Sequence, residues 1–308
     1  MWGEIMLYEI VGGKLQKADF MTENALVVEV LPYTPGESPV GDDDEKGSLF
    51  ESIFSKAYSR YETYESLDIV CINQIFIEKY KERRDPVYIL VEKKKITFYS
   101  TDPDNIDTFM CRMIDEHISK LTTGDVLYYY MFRMIHGDLL HLEDMERQLT
   151  KIETHVTADE IESSFSKQIL KIKKHLLWIG MYYEQFLNLL ADLSNNMSGL
   201  YNKSTLKKFK MLDSKIDRLY SKTKNLLNYA TEIRSTYQAE VDLQLNKTMK
   251  TLTVITVIVS PLTLIVGWYG MNLQMPEFSF AYSYPILIAV CVTIVVGSIV
   301  YFKKNKWF

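Results

Sequence analysis

The strongest constraint on this chain is a run of 52 residues, between Lys250 and Lys303, with no Lys or Arg and a single acid, Glu277. Two apolar stretches lie there, Met249 to Tyr269 and Tyr284 to Phe302, joined by 14 residues. Each is close to the ~20 residues that cross a ~30 Å hydrocarbon layer. The C-terminal part therefore reads as two membrane spans; a buried hairpin in a soluble core is the rival, since the first run carries several hydroxyls. Lys247 and Lys250 flank one outer end and Lys303, Lys304 and Lys306 the other, while the connection has no basic residue. The positive-inside bias then puts both termini in the cytoplasm. Trp268, Tyr269, Tyr282 and Tyr284 gather at the opposite interface, and Trp307 and Phe308 mark the inner one.

The remainder is acidic. Leaving out Glu277 and the five flanking lysines, residues 1–246 hold 30 basic and 39 acidic side chains, a net charge of −9 that argues against nucleic acid as a partner. Glu4 and Glu9, with no basic stretch ahead of an apolar run, give no expectation of a secretory signal. Cys71, Cys111 and Cys291 are too scattered for a disulfide framework or a CxxC metal site, which suits a reducing compartment and structural roles.

Up to about residue 105 the chain has short β-rich runs: Ala25 to Leu31, Leu67 to Ile72, Gln74 to Ile77, Val87 to Val91 and Lys95 to Tyr99. Asp85-Pro86 and Lys93-Lys94 punctuate the later ones. Pro32 to Gly47, with three prolines and the acids Asp42, Asp43, Asp44 and Glu45, reads as a solvated loop, with cation binding as the sharper alternative. From Asn105 the pattern turns helical, with breaks expected near Thr122 to Gly124, Thr157 to Asp159 and Ser198 to Ser204. Thr157 and Glu160 have capping-box spacing. His136 and His141 are five residues apart, about 140° around a helix, and so share no metal-binding face.

No Gly or Pro interrupts the chain from Lys203 to Ser260, so one helix of roughly 100 Å is expected to run from about Ser204 into the first span. Leu212, Ile216, Leu219, Thr223, Leu226, Ala230, Ile233 and Tyr237 form a heptad seam on it. A second stripe keeps the same rhythm on another face. It starts at Ser214 and Arg218 and reaches Asn246, Met249, Thr253, Thr256, Ser260, Thr263, Gly267 and Gly270. Polar side chains inside a bilayer face a bundle interior or a water-filled cavity. The stripe thus points to parallel copies of the helix around a wet axis; hydroxyls that bond the backbone or glue helices together are the other explanation.

The first span ends in Tyr269-Gly270-Met271-Asn272, and Met275-Pro276-Glu277 follows. With Pro-Leu-Thr at 261–263, Tyr284-Pro285 opening the second span and the Lys-rich end, these residues resemble the CorA family of magnesium channels and its Gly-Met-Asn signature. The resemblance is close from Asn246 onward and holds only in plan before it. It implies a homopentamer in the cell membrane that passes hydrated Mg2+ down its gradient, with no cofactor, Mg2+ as the transported and regulatory ion, and no enzymatic step. Gly270, Met271 and Asn272 would form the entrance, where hydrated Mg2+ meets a ring of Asn272 carbonyls. Glu277 would form an acidic ring above it, and Asn246, Met249, Thr253, Thr256, Ser260, Thr263 and Gly267 would line the pore. Family members carry a bulky apolar residue ahead of the proline where this chain has Ser260, a departure from a second apolar constriction. They close when Mg2+ bridges acids between subunits; Asp213 and Asp217 are candidates here by location.

The fold class expected is α+β, with a cytoplasmic α/β domain over 1–105, a helical stalk over 106–246 and a two-span pore domain over 247–308. A zinc or broad-specificity transporter of the same superfamily and a non-conducting membrane-tethered sensor are the rival functions.

Overall fold

The computed structural model describes residues 5–20, 25–34, 59–64, 66–75, 84–158, 162–271, 276, 280, 282–305 and 307. They form two compact units, Met1–Ile152 with Ser164–Ile233, and Glu153–Ser163 with Arg234–Phe308. The expected α+β class holds.

In the first unit, β1 (Met6–Val11) and β2 (Lys14–Lys17) make a hairpin over Gly12 and Gly13, whose φ values of 58° and 80° suit a two-residue turn. With β3 (Leu26–Pro32), β4 (Arg60–Tyr64), β5 (Leu67–Ile75), β6 (Arg84–Glu92) and β7 (Lys95–Ser100) they build one sheet in the order β2-β1-β3-β7-β6-β5-β4. Among the described strands only β3 and β7 pair in parallel.

Five strands differ from expectation. β1, β2 and β4 were not anticipated, because charged and polar residues interrupt their apolar positions. Pro86 does not end a strand but lies inside β6, opposite Asn73 of β5. It is tolerated because pairing between β6 and β7 stops at Val87 with Ser100, so the missing N–H breaks no ladder on that side. The separate strand expected from Gln74 is the continuation of β5 as far as Ile75, and Phe76 and Ile77 lie outside the described residues. So does the acidic loop around Asp42 to Glu45.

Helices α1 (Pro103–Asp115) and α2 (Thr123–Met134) pack on the sheet. They bury Ile106, Phe109, Met110, Met113, Val126, Leu127, Tyr130 and Met131. A second core cluster joins Tyr33, Ile69, Cys71, Tyr88, Leu90 and Tyr99. Burial pushes the Cys71 thiol up to about 12, in keeping with a structural cysteine. The capping box sits at Thr122, not Thr157. Thr122 and Asp125 exchange side-chain and backbone hydrogen bonds, whereas Thr157 is the last residue of α3 (Asp138–Thr157), and its hydroxyl donates to the Glu153 and Thr154 carbonyls. The break expected near Thr122 to Gly124 is the start of α2, capped by Thr122; Gly124 lies in its first turn, where a Cβ would stand 2.6 Å from the Tyr201 ring and 2.9 Å from Thr205 Cγ2.

Helix α4 (Ser163–Asn195) ends at Asn196, whose φ of 47° is the left-handed conformation that Asn tolerates. Its amide donates to the Tyr201 carbonyl and accepts from the Tyr201 N–H, both at 3.0 Å, which fastens the turn into α5 (Lys203–Tyr269). Asn202 caps α5 by accepting from the Thr205 N–H at 2.9 Å. Asp125 holds the same end, accepting from Thr205 Oγ1 at 3.0 Å and Lys208 Nζ at 2.9 Å. The seam residues of α5 from Leu212 to Ile233 are all buried. Their cover is α3 and α4: Lys222 bonds Glu146, Tyr229 meets Thr150, and Gly180 approaches Thr223. The seam is therefore used up within the chain.

Candidate functional site

In the second unit α5 runs on through the first apolar stretch with Pro261 inside it, and α6 (Ser283–Lys304) is the second. Both are long and apolar enough to cross a membrane, and most of their apolar side chains point outward, Leu264 being 71% exposed.

The covered positions of α5 form one stripe. Val254 is buried, and Ile258, Pro261, Ile265 and Tyr269 are partly covered. On α6 the covered positions are Leu287, Cys291, Ile294, Val295, Ser298 and Phe302, again one face. At about 100° per residue, Met249, Thr256, Ser260, Thr263 and Gly267 fall roughly opposite the Val254 stripe. All of these, with Asn246 and Thr253, are exposed. Val254 lies 21 residues after Ile233, three heptads on.

The hydroxyls on the open face are oriented by the helix itself. Thr253 Oγ1 donates to the Met249 carbonyl at 2.8 Å, Thr256 to Leu252 at 2.8 Å and Thr263 to Val259 at 3.0 Å. This is the backbone bonding that the sequence left as the rival explanation, and the two are compatible. A hydroxyl whose proton is given to its own helix keeps its lone pairs as acceptors toward whatever faces it. Ser260, Thr263, Leu264, Gly267, Trp268 and Met271 line a shallow groove on this side.

Gly270 closes the helix. Its N–H donates to the Val266 carbonyl at 2.8 Å, and a Cβ there would stand 2.9 Å from that same oxygen. Met271 follows, with its N–H toward Trp268 O at 3.4 Å. Asn272 and Glu277 lie outside the described residues.

Asp213 and Asp217 stand one turn apart on α5, Asp213 half-buried and Asp217 exposed. Burial, and then the Asp217 charge, raise the Asp213 carboxyl above its usual range. Among the described residues no three His, Cys, Asp or Glu side chains come together as a metal site. One feature passed over in the sequence is a set of lysines seven apart on α5, Lys208, Lys215 and Lys222, legible as one helix edge.

The Cobalt/magnesium transport protein CorA of Thermotoga maritima is 27% identical over 191 residues, 62% of this chain and 54% of that protein. The Magnesium transport protein CorA of Wolinella succinogenes is 39% identical over 82 residues, 26% of each chain. The match thus spans about half the length of the first relative and a quarter of the second. The CorA magnesium transporter from Methanocaldococcus jannaschii superposes with a TM-score of 0.75 at 16% identity, covering 99% of this chain and 98% of that one, so the fold is shared from end to end. Residues 50–304 match the family model described as CorA-like Mg2+ transporter protein, which takes in strands β4 to β7, every helix described above and both apolar spans; the chain belongs to that family.

Proposed function

We propose that identical copies of this chain, five by the family resemblance, surround the open face of α5 and pass hydrated Mg2+ down its gradient through the cell membrane. The observation that carries this reading is the hydroxyl-bearing face of α5 inside an apolar span, turned away from the face its own chain covers. Names borne by the relatives, cobalt/magnesium and magnesium transport protein, agree with it.

Mg2+ surrenders its waters reluctantly and is carried with several retained. Those waters donate hydrogen bonds outward, so the matching wall is one of acceptors. Thr253, Thr256 and Thr263, their protons given to backbone carbonyls, are such a wall. Asn272 side-chain oxygens, with the carbonyls of Gly270 and Met271, would receive the ion at the outer end. Glu277 would raise its local concentration. Neutral carbonyls suit conduction, which needs binding weak enough for release. Met249, 59% exposed, would ring the inner end as an apolar constriction that gates by dewetting. Asp213 and Asp217, whose mutual repulsion a divalent cation would relieve, would be completed by acids of a neighbouring copy when internal Mg2+ is high. Both termini would lie in the cytoplasm, and no step is enzymatic.

The test is Mg2+ uptake into proteoliposomes by wild type and Asn272→Ala, with oligomer size followed by light scattering. Uptake lost at unchanged oligomer size supports the reading. Wild-type flux of Zn2+ but not Mg2+ moves the chain to a zinc transporter, and no flux of either ion leaves a sensor.

A further inference from the structure

A pocket of about 450 Å3 opens in the first unit between the α2–α3 turn and α5. Phe132, Ile135, Leu139 and Leu219 give it apolar walls, and His136, Lys215, Arg218 and Lys222 stand around them. The lysines at seven-residue spacing along this edge differ in one respect. Lys208 is paired with Asp125 at 2.9 Å and Lys222 with Glu146 at 2.7 Å. Lys215, between them, has no carboxylate partner among the described residues; it stands 4.3 Å over the Phe132 ring. Arg218, one turn on and exposed, makes no ion pair among them either.

Asp213 and Asp217 project from the other side of α5, about 160° to 200° around from Lys215. Asp138, at the start of α3, is buried, and there the Tyr183 hydroxyl donates to it at 2.9 Å. Leu139 brings the N-terminal end of α3 to the pocket, and the helix dipole adds positive potential. Gly137, with φ of 92°, makes the tight turn between α2 and α3.

We propose that this pocket binds a nucleotide, its phosphates held by Lys215 and Arg218 and its base against Ile135, Leu139 and Leu219. A planar guanidinium matches phosphate oxygens two at a time. A bare phosphate would leave the apolar walls wet, whereas the volume falls in the range of small-molecule sites. The lining offers no free carboxylate to a metal, so the metal-free, more highly charged form is the better ligand. Such a site fills as Mg2+ becomes scarce. The inference stands apart from the transport reading, because binding is measured without flux.

Full-length protein in detergent is titrated with ATP by calorimetry, in EDTA and then with Mg2+ in excess. Saturable binding is expected, at least about tenfold weaker in Arg218→Gln and Lys215→Gln, unchanged in Lys210→Gln, which lies on α5 outside the pocket, and weaker with Mg2+. Light scattering checks that each variant keeps its oligomer size. The proposal is overturned by no saturable ATP binding up to about 5 mM, the outcome if another copy's acids occupy the pocket. Equal affinities in wild type and Arg218→Gln, or inorganic phosphate competing as well as ATP, also overturn it. Displacement of ATP by anionic but not neutral lipid nanodiscs would assign the pocket to a lipid headgroup instead.

Discussion

Replacing Thr256 by Val separates a conducting face from a merely cohesive one. Thr256 Oγ1 donates to the Leu252 carbonyl at 2.8 Å, and that carbonyl is also the partner of the Thr256 N–H in the helix. Losing the hydroxyl leaves no backbone group unpaired, and the side chain is exposed, so the stability cost should stay below about 0.5 kcal/mol. Conduction should suffer more. Each acceptor lost to the ion's water shell is worth about 0.5–1.5 kcal/mol. With about two such contacts made at once, the barrier rises by about 1–3 kcal/mol, a fall in flux of roughly 5- to 150-fold. Val254, two residues earlier and about 200° around the helix, is 2% exposed and serves as the opposite control. Val254→Ala should lower stability by about 1–3 kcal/mol through lost packing. The assays are Mg2+ uptake by a trapped indicator dye and thermal unfolding in detergent. Wild-type flux in Thr256→Val, or equal melting-temperature losses in the two variants, would refute the assignment of faces.

Asp125→Ala removes a helix cap, the Thr205 bond and the Lys208 ion pair together, and should cost about 3 kcal/mol in thermal unfolding, with Asp125→Asn costing less. Gly124→Ala should cost about 1–3 kcal/mol on the same melt, since its Cβ meets Tyr201 and Thr205 at under 3 Å. Asp213 has its carboxyl raised in the folded chain, so folding is penalised as pH climbs above the ordinary carboxylate range and unpenalised below it. Asp217→Asn should therefore raise the melting temperature at pH 7 and not at pH 3, and Mg2+ should stabilise the wild type more than the variant. One alanine inserted after Glu240 should turn the downstream stripe by about 100° and abolish flux; a seven-residue insertion, which keeps phase, should retain far more of it, as uptake in proteoliposomes would show.

How much of this was legible in the sequence depended on how local the signal was. The spans, the long helix and its two stripes were readable because hydrophobicity and period survive in a run of residues whatever lies beside it. The seam's partners were not, since nothing in Leu212 to Ile233 says whether α3 and α4 or another copy will cover it. The Gly12-Gly13 pair is a hairpin signal that was present and unused; β1 and β2 flank it. The helix start near Thr122 to Gly124 was legible, whereas Pro86 was misjudged: it breaks a local rule and is allowed because pairing with the neighbouring strand ends at Ser100. Thr157 had the capping-box spacing without the geometry, because the preceding helix runs through it. For the candidate site, residue types and spacing placed Gly270 at the end of the helix and the hydroxyls on one exposed face. They did not reach the pairing of Lys208 and Lys222 that leaves Lys215 and Arg218 open, which needs partners about 80 residues away.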